Sequence, residues 1–285
     1  MSLFKKLYND LLRFRNSPNL QKSIIYFIGT SIAFGIVFIQ NFSLAFLLDI
    51  TSFGKVTLII SLFSTLYVIF TFGLNAVVLR FYFDQKYNKN IRKFTSQLFT
   101  LWFIFGVVFV LLILLLGYYL IVWERYLLLD FTFEFTPVVI GSFLFSFTEI
   151  FPNLFIVQEK PISYVVSLIL SKLIIFVLLH FSILVFGEST VLIALMLLLS
   201  GLSLLIIGTF VFHVFPLSNV NILELKEIFV YSFPLMIYAL GGVGYSNGYR
   251  VIISTRLNFQ DLAIFSVAAQ LSSVRSEEHT SELQS

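Results

Sequence analysis

The chain has 285 residues, 59% of them hydrophobic and 12% charged, with a net charge of +3 and a mean hydropathy of +0.98. These values lie far outside the soluble range and identify an integral membrane protein, with no nucleic-acid partner expected. No cysteine is present, which excludes disulfides, thiolate catalysis and zinc-thiolate sites.

The N-terminal segment 1–22 opens with LFKKLYNDLLRF. Phe4, Leu7, Tyr8, Leu11 and Leu12 recur there at helical spacing, opposite Lys5, Lys6, Asn9, Asp10 and Arg13, which predicts a helix lying along the membrane face. Charges precede the first apolar run and no small-residue cleavage site follows, so it does not read as a removable signal. Six apolar spans come next, approximately Ser23–Leu48, Val56–Leu79, Phe94–Trp123, Thr136–Val157, Ile162–Phe186 and Thr190–Phe215. Each has the roughly 20 residues needed to cross a bilayer. Asn221–Ile228 reads as a second interfacial stretch, and a seventh span runs from about Ile228 to Thr255. An eighth starts near Leu262 and ends at Val274, where the composition changes abruptly to RSEEHTSELQS. Its rise of about 20 Å is too short to cross.

Lysines and arginines set the predicted orientation. Lys5, Lys6, Arg13, Arg15, Lys22, Arg80, Lys86, Lys89, Arg92, Lys93, Lys160 and Lys226 fall on the N-terminal side of the bilayer, against Lys55, Arg125, Arg250 and Arg256 on the other. That bias places the N-terminus in the cytoplasm. The outer loops, including ERYLLLDFTFEF, are too short to form a catalytic domain.

Enzyme signatures are missing from the pattern. His180 and His213 stand alone, without an acidic residue four positions on or a second histidine nearby, and read as structural. No metal site and no cofactor are expected. GGVGYSNG (Gly241 to Gly248) lacks the strand and helix context of a phosphate-binding loop. With Pro234 seven residues before it and freeing a carbonyl, and Gly244 and Gly248 at small-xxx-small spacing, it predicts either a loosened helix bordering a cavity or a close packing contact.

Ionisable residues inside the spans carry the most information, because each costs several kcal/mol unless paired or wet. Arg80 and Arg250 lie near helix ends and are expected to snorkel. Glu149 and Lys172 flank the turn at Lys160 and Pro161 at equal distances in sequence. In an antiparallel hairpin they meet at one depth, roughly 17 Å from the turn, and Pro152 is expected to bend the fourth span just below Glu149. A structural ion pair and a role in substrate or ion handling both remain open for them.

Several stretches resemble the polysaccharide biosynthesis exporters, including O-antigen-type flippases, of the superfamily that also holds multidrug extrusion proteins. FGKVTLIISLFSTLYVIFTFGLNAVVLRFYFD is similar to that family's second span, VQEKPISY to its fourth-to-fifth turn, LKEIFVYSFPLMIYALGGVGYSNGYRVIIS to its seventh span and LAIFSVAAQL to the start of its eighth. One departure is Tyr249, which stands before Arg250 where relatives often carry an Asp. A faint repeat, LQKSIIY before the first span and LKEIFVY before the seventh, suits a transporter of two related halves.

The resemblance implies an all-α polytopic helical bundle. A complete six-helix first lobe (23–215) is followed by a cytoplasmic linker (216–227) and about one and a half helices of a truncated second lobe (228–274). It implies a bacterial inner-membrane flippase for a polyprenyl-diphosphate-linked oligosaccharide. Its partners would be membrane lipids, that lipid-linked substrate and polysaccharide assembly proteins. Lys172 becomes the leading candidate for the anionic headgroup, followed by Arg80 and Arg250. Glu149 becomes the candidate for ion coupling or charge pairing, and Pro152, Pro234, Gly241, Gly244 and Gly248 those for kinking or gating. A multidrug extrusion antiporter on the same fold, or a membrane polymerase or acyltransferase, is the alternative. The tail Arg275–Ser285 is similar, residue for residue, to an in-frame translation of a common sequencing adapter, so the native chain is expected to continue differently after Val274.

Overall fold

Lipid offers backbone groups no hydrogen-bond partner, so a chain this apolar must satisfy them within helices. The computed structural model describes residues 18–84, 91–124, 131–212 and 222–282 and contains, among them, helices and no strand. The amphipathic segment expected before residue 18, and His213, lie outside the described residues. The helices are α1 (Pro18–Leu47), α2 (Ile50–Thr71), α3 (Leu74–Phe81), α4 (Ile91–Glu124), α5 (Thr136–Thr148), α6 (Ile150–Val157), α7 (Pro161–Phe186), α8 (Thr190–Phe212), α9 (Ile222–Arg256) and α10 (Phe259–Glu282). A single π-helical turn, Phe131–Phe135, leads into α5. Seven segments among these residues are long and apolar enough to cross a bilayer; the chain is a multi-pass membrane bundle.

Two expected spans are broken. The second divides into α2 and α3 because Phe72 (φ 52°) and Gly73 (φ 66°) both take left-handed backbone. Phe72 pays for this strain by full burial, with its ring 5.0 Å from Phe109 and 5.7 Å from Phe105. Gly73 is required twice over, since a Cβ there would lie 2.8 Å from the Ser232 carbonyl oxygen of α9. The fourth span divides at Glu149, between α5 and α6. The bend expected at Pro152 thus falls three residues earlier, at the level of the Thr148 carbonyl that the missing proline N–H would have bonded. Asn153 Nδ2 donates to the Glu149 carbonyl at 3.3 Å, replacing part of the lost ladder.

The seventh span keeps its helix through Pro234 and all four glycines of 241–248. A Cβ on Gly241, Gly244 or Gly248 would meet nothing within 4 Å, so these residues form an open face, neither a break nor a packing contact. Residues 222–228, expected to lie along the membrane face, are instead the first turns of α9. Glu224 there is buried, takes a 3.1 Å ion pair from Lys93 and accepts from Gln97 Nε2.

α2 is the central element. Its Phe63, Tyr67 and Phe70 side packs on α5, while α9 and α10 pack on its opposite side. Trp102 of α4 stacks on Phe143 at 4.4 Å and donates its indole hydrogen to Ser146 Oγ at 2.8 Å. α5 and α8 approach most closely at paired glycines, where a Cβ on Gly201 would lie 2.5 Å from the Gly141 carbonyl oxygen. Outward-facing Phe27, Phe46, Leu115 and Leu184 are exposed, as a bilayer requires. At the α1–α2 turn, Asp49 caps α2 by accepting from Thr51 N (3.2 Å) and Ser52 N (3.0 Å), and its own N–H donates to Glu188 Oε1 at 2.9 Å.

Replacing Gly201 by Val should wedge α5 from α8 and cost about 1–3 kcal/mol. Gly244→Ala should be neutral or stabilising, because alanine is the better helix former. Thermal unfolding in detergent micelles reads both, and an unchanged midpoint for the Gly201 variant would contradict the close approach. The Asp49 carboxyl is held down to about 2, first by its bond with Ser52 and then by Glu188. A depressed carboxylate stabilises the fold above its ordinary range near about 4 and loses that contribution as the pH falls toward about 2. Asp49→Asn should lack this acid step in a pH series of unfolding midpoints.

Candidate functional site

Two gatherings of polar groups inside the spans lie on opposite sides of α2. The first arises at the α5–α6 break. Glu149 ends α5 just as the antiparallel α7 brings Lys172 to the same depth, and Lys172 Nζ lies 3.0 Å from Glu149 Oε1. The two side chains keep 21% and 18% of their surface respectively, enough that the pair is not sealed from its surroundings. The Lys172 ammonium also sits 5.5 Å from the Phe145 ring, which is flanked at 5.4 Å by both Phe63 and Tyr67 of α2. An ion pair with an aromatic ring against its cation is close to neutral overall, and breaking it would strand one charge.

Behind this hairpin, α6, α7 and α8 enclose a cavity of about 290 Å³ bordered by Phe151, Val166, Leu170, Leu204 and Gly208. Its hydroxyls are turned inward. Thr148, Ser167 and Ser171 donate to the carbonyls of Phe145 (2.6 Å), Tyr164 (2.8 Å) and Leu168 (2.8 Å), so these hydroxyls can only accept and the cavity lining is otherwise mostly apolar.

The second locus starts from hydroxyls on α2. Ser61 donates to the Thr57 carbonyl, and Ser64 and Thr65 both donate to the Ser61 carbonyl, each at 2.8 Å. Each hydroxyl hydrogen is thus spent on its own helix, and the oxygens remain as acceptors facing α9. Asn247 supplies donors to Ser64 Oγ (3.1 Å) and Thr65 Oγ1 (3.3 Å). Arg250 Nη1 donates to Ser61 Oγ at 2.6 Å and to Asn247 Oδ1 at 3.5 Å, and its Nε donates to the Tyr249 hydroxyl at 3.1 Å.

Arg250 therefore does not snorkel to the end of α9 as expected. Helical side chains lean toward the N-terminus of their helix, which carries this guanidinium inward onto the middle of α2. None of the ion pairs among the described residues involves it, and Nη2 takes no part in its hydrogen bonds. Tyr249, the departure from the family pattern, provides an oxygen to Nε.

Arg80 lies exposed in the last turn of α3, at one end of the bundle. The three candidate cations are thus not gathered into one cavity: α2 stands between Lys172 and Arg250, and Arg80 is remote from both. Reading the sequence for charges missed Asn247 and the Ser61, Ser64 and Thr65 acceptors. Their signal was the spacing of Thr57, Ser61 and Thr65, one hydroxyl every four residues on a single helical face. Among the described residues no three His, Asp or Glu side chains gather in a metal-holding group.

A protein-family model described as polysaccharide biosynthesis protein matches residues 19–277. Comparison with curated proteins and with solved structures finds no match.

The Glu149–Lys172 pair predicts a non-additive pattern. Lys172→Met alone should lower stability by on the order of 3 kcal/mol, because a half-buried carboxylate inside the bundle is left without its cation. Adding Glu149→Gln should restore most of the loss. Unfolding midpoints of the two single variants and the double variant test this, and additive losses would mean that the charges do not interact.

Proposed function

Because this chain belongs to the polysaccharide biosynthesis protein family and forms a multi-pass membrane bundle, we propose that it is a transporter, a flippase for a polyprenyl-diphosphate-linked oligosaccharide. In this reading it acts in a bacterial inner membrane with its N-terminus in the cytoplasm. The observation that carries the proposal is Arg250, a guanidinium inside the bundle held by neutral oxygens and by the Tyr249 ring 5.6 Å away, with no carboxylate against it and with Nη2 outside its hydrogen bonds. A cation satisfied geometrically but not electrically suits a phosphate, whose oxygens match the guanidinium fork. Lys172 is already neutralised by Glu149, so Arg250 takes the leading place that the sequence alone suggested for Lys172.

In this mechanism the diphosphate replaces the Ser61 and Asn247 oxygens on Arg250. The α2–α9 contact is thereby loosened, and the two sides of α2 rock apart to change which face is open while the lipid tail stays in the bilayer. Pro234, whose missing N–H leaves the Val230 carbonyl without its helical donor, and the open glycine face of α9 give that helix places to bend. Membrane lipids and the enzymes that build and extend the glycan are the partners this role requires. We further infer that Arg275–Ser285 derive from a sequencing adapter joined after the Val274 codon. Sequencing the source locus across that codon by a different library chemistry tests this, and a genuine stop after Ser285 would refute it.

The transport proposal is tested with the full native gene product in liposomes, using a fluorescent polyprenyl-diphosphate oligosaccharide. Arg250→Gln should reduce flipping roughly 10- to 100-fold, the worth of a charge-assisted hydrogen bond lost, with little change in the unfolding midpoint. Export of a cationic dye in place of the lipid-linked glycan would favour the multidrug antiporter instead, and glycan elongation would favour an enzyme.

A further inference from the structure

Among the titratable groups inside the bundle that belong to neither locus, one lies on α7. His180 of α7 stacks on Phe176 with ring centroids 4.1 Å apart, and its Nδ1 lies 2.8 Å from the Phe176 carbonyl oxygen. Its Nε2 lies 2.5 Å from Ser43 Oγ of α1, and that oxygen in turn lies 2.9 Å from the Gln40 carbonyl.

The hydrogens can be placed one by one. A carbonyl only accepts, so Nδ1 must carry hydrogen. Ser43 has a single hydrogen and two neighbours able to receive it, His180 Nε2 and the Gln40 carbonyl. When the imidazole is neutral, Nε2 is a lone pair and Ser43 donates to it. When a proton from water binds, Nε2–H forms and donates to Ser43 Oγ, whose own hydrogen rotates onto the Gln40 carbonyl. Both states are fully bonded, and passage between them needs one hydroxyl rotation and no displacement of a helix. The Phe176 face adds a cation–π attraction in the charged state alone.

Charged neighbours leave this group to itself. On α1 the titratable residues are Lys22 and Tyr26, α8 has none, and α6 has none apart from Glu149 at its start. On α7 itself Tyr164 and Lys172 precede His180, Lys172 by eight residues, about 12 Å of rise, and it is paired with Glu149. Glu188 and Asp49 lie beyond the other ends of α7 and α1, joined to each other.

We propose that His180 and Ser43 form a proton-binding site between α1 and α7, and that protonation there is the ion-binding step coupled to transport. The second half rests on the flippase reading above, whereas the first does not. The test uses the full native protein in lipid nanodiscs with nitrogen-15 histidine, His213 replaced by Asn, and the His180 signal assigned by its loss in His180→Gln. Lowering the pH from about 8 to about 5, the range in which histidines serve as switches, should convert a neutral ring with hydrogen on Nδ1 into one with hydrogen on both nitrogens. Ser43→Ala should move the nitrogen-15 shift of Nε2 in the neutral ring, because that nitrogen loses the hydroxyl hydrogen it accepts. A ring that keeps one protonation state throughout, or a neutral ring with hydrogen on Nε2, overturns the site.

In liposomes, His180→Gln should abolish the response of flipping to an imposed pH gradient, and an unchanged response overturns the coupling. If the native protein titrates but moves no lipid-linked glycan at all, the flippase reading fails and the coupling with it, while the proton site stands.

Discussion

Every hydrogen-bond donor that enters hydrocarbon must find its acceptor inside the protein, and α2 is where this constraint organises the bundle. Its hydroxyl hydrogens return to its own backbone, so that the oxygens of Ser61, Ser64 and Thr65 are left as a row of acceptors. A row of acceptors in lipid needs donors, and Asn247 and Arg250 of α9 provide them. The other side of the same helix is aromatic and binds α5 through Phe63, Tyr67 and Phe70. This helix of the second span thus holds the fourth span on one side and the seventh on the other by two different kinds of contact. The aromatic contact is nondirectional and close-packed; the polar contact depends on a few atoms that a ligand with oxygens of its own can replace.

The breaks in the second and fourth spans follow the same logic. At Phe72 and Gly73 the ladder is interrupted where α9 approaches too closely for a side chain. At Glu149 it is interrupted by a proline one turn later, and Asn153 and Thr148 take up part of the slack with side-chain bonds to the backbone. That second interruption sits beside an ionised pair. A helix end in the bilayer is costly, and so is a carboxylate; placing both beside Lys172 lets a single cation answer the two demands.

These arrangements suggest a division of labour along the bundle. The Glu149–Lys172 pair is balanced and binds α6 to α7. The α2–α9 locus carries surplus positive charge at the contact between the first six spans and the seventh. His180 and Ser43 link α1 to α7 through bonds that reverse direction without breaking. Under the proposed function, the surplus charge would receive the anionic headgroup and the exchangeable hydrogen bonds would let the α2–α9 contact open.

Hydrophobic runs of bilayer length determine the number of spans and their alternating direction, because the cost of exposing backbone in lipid depends on composition and length alone. The equal spacing of Glu149 and Lys172 from the Pro161 turn likewise made their meeting legible, since an antiparallel hairpin converts sequence distance directly into depth. Arg250 could not be read in the same way. Its distance from the end of α9 suggested an exit to the headgroups, whereas its rotation about the helix and the lean of its side chain deliver it to Ser61. The glycines of α9 were ambiguous for a related reason: the pattern is the same whether the facing space is filled by a neighbour or left open. Sequence alone determined depth in the membrane, which is a property of one helix. Azimuth, and therefore which polar groups meet across α2, was decided by tertiary structure, because it depends on how every neighbouring helix is packed.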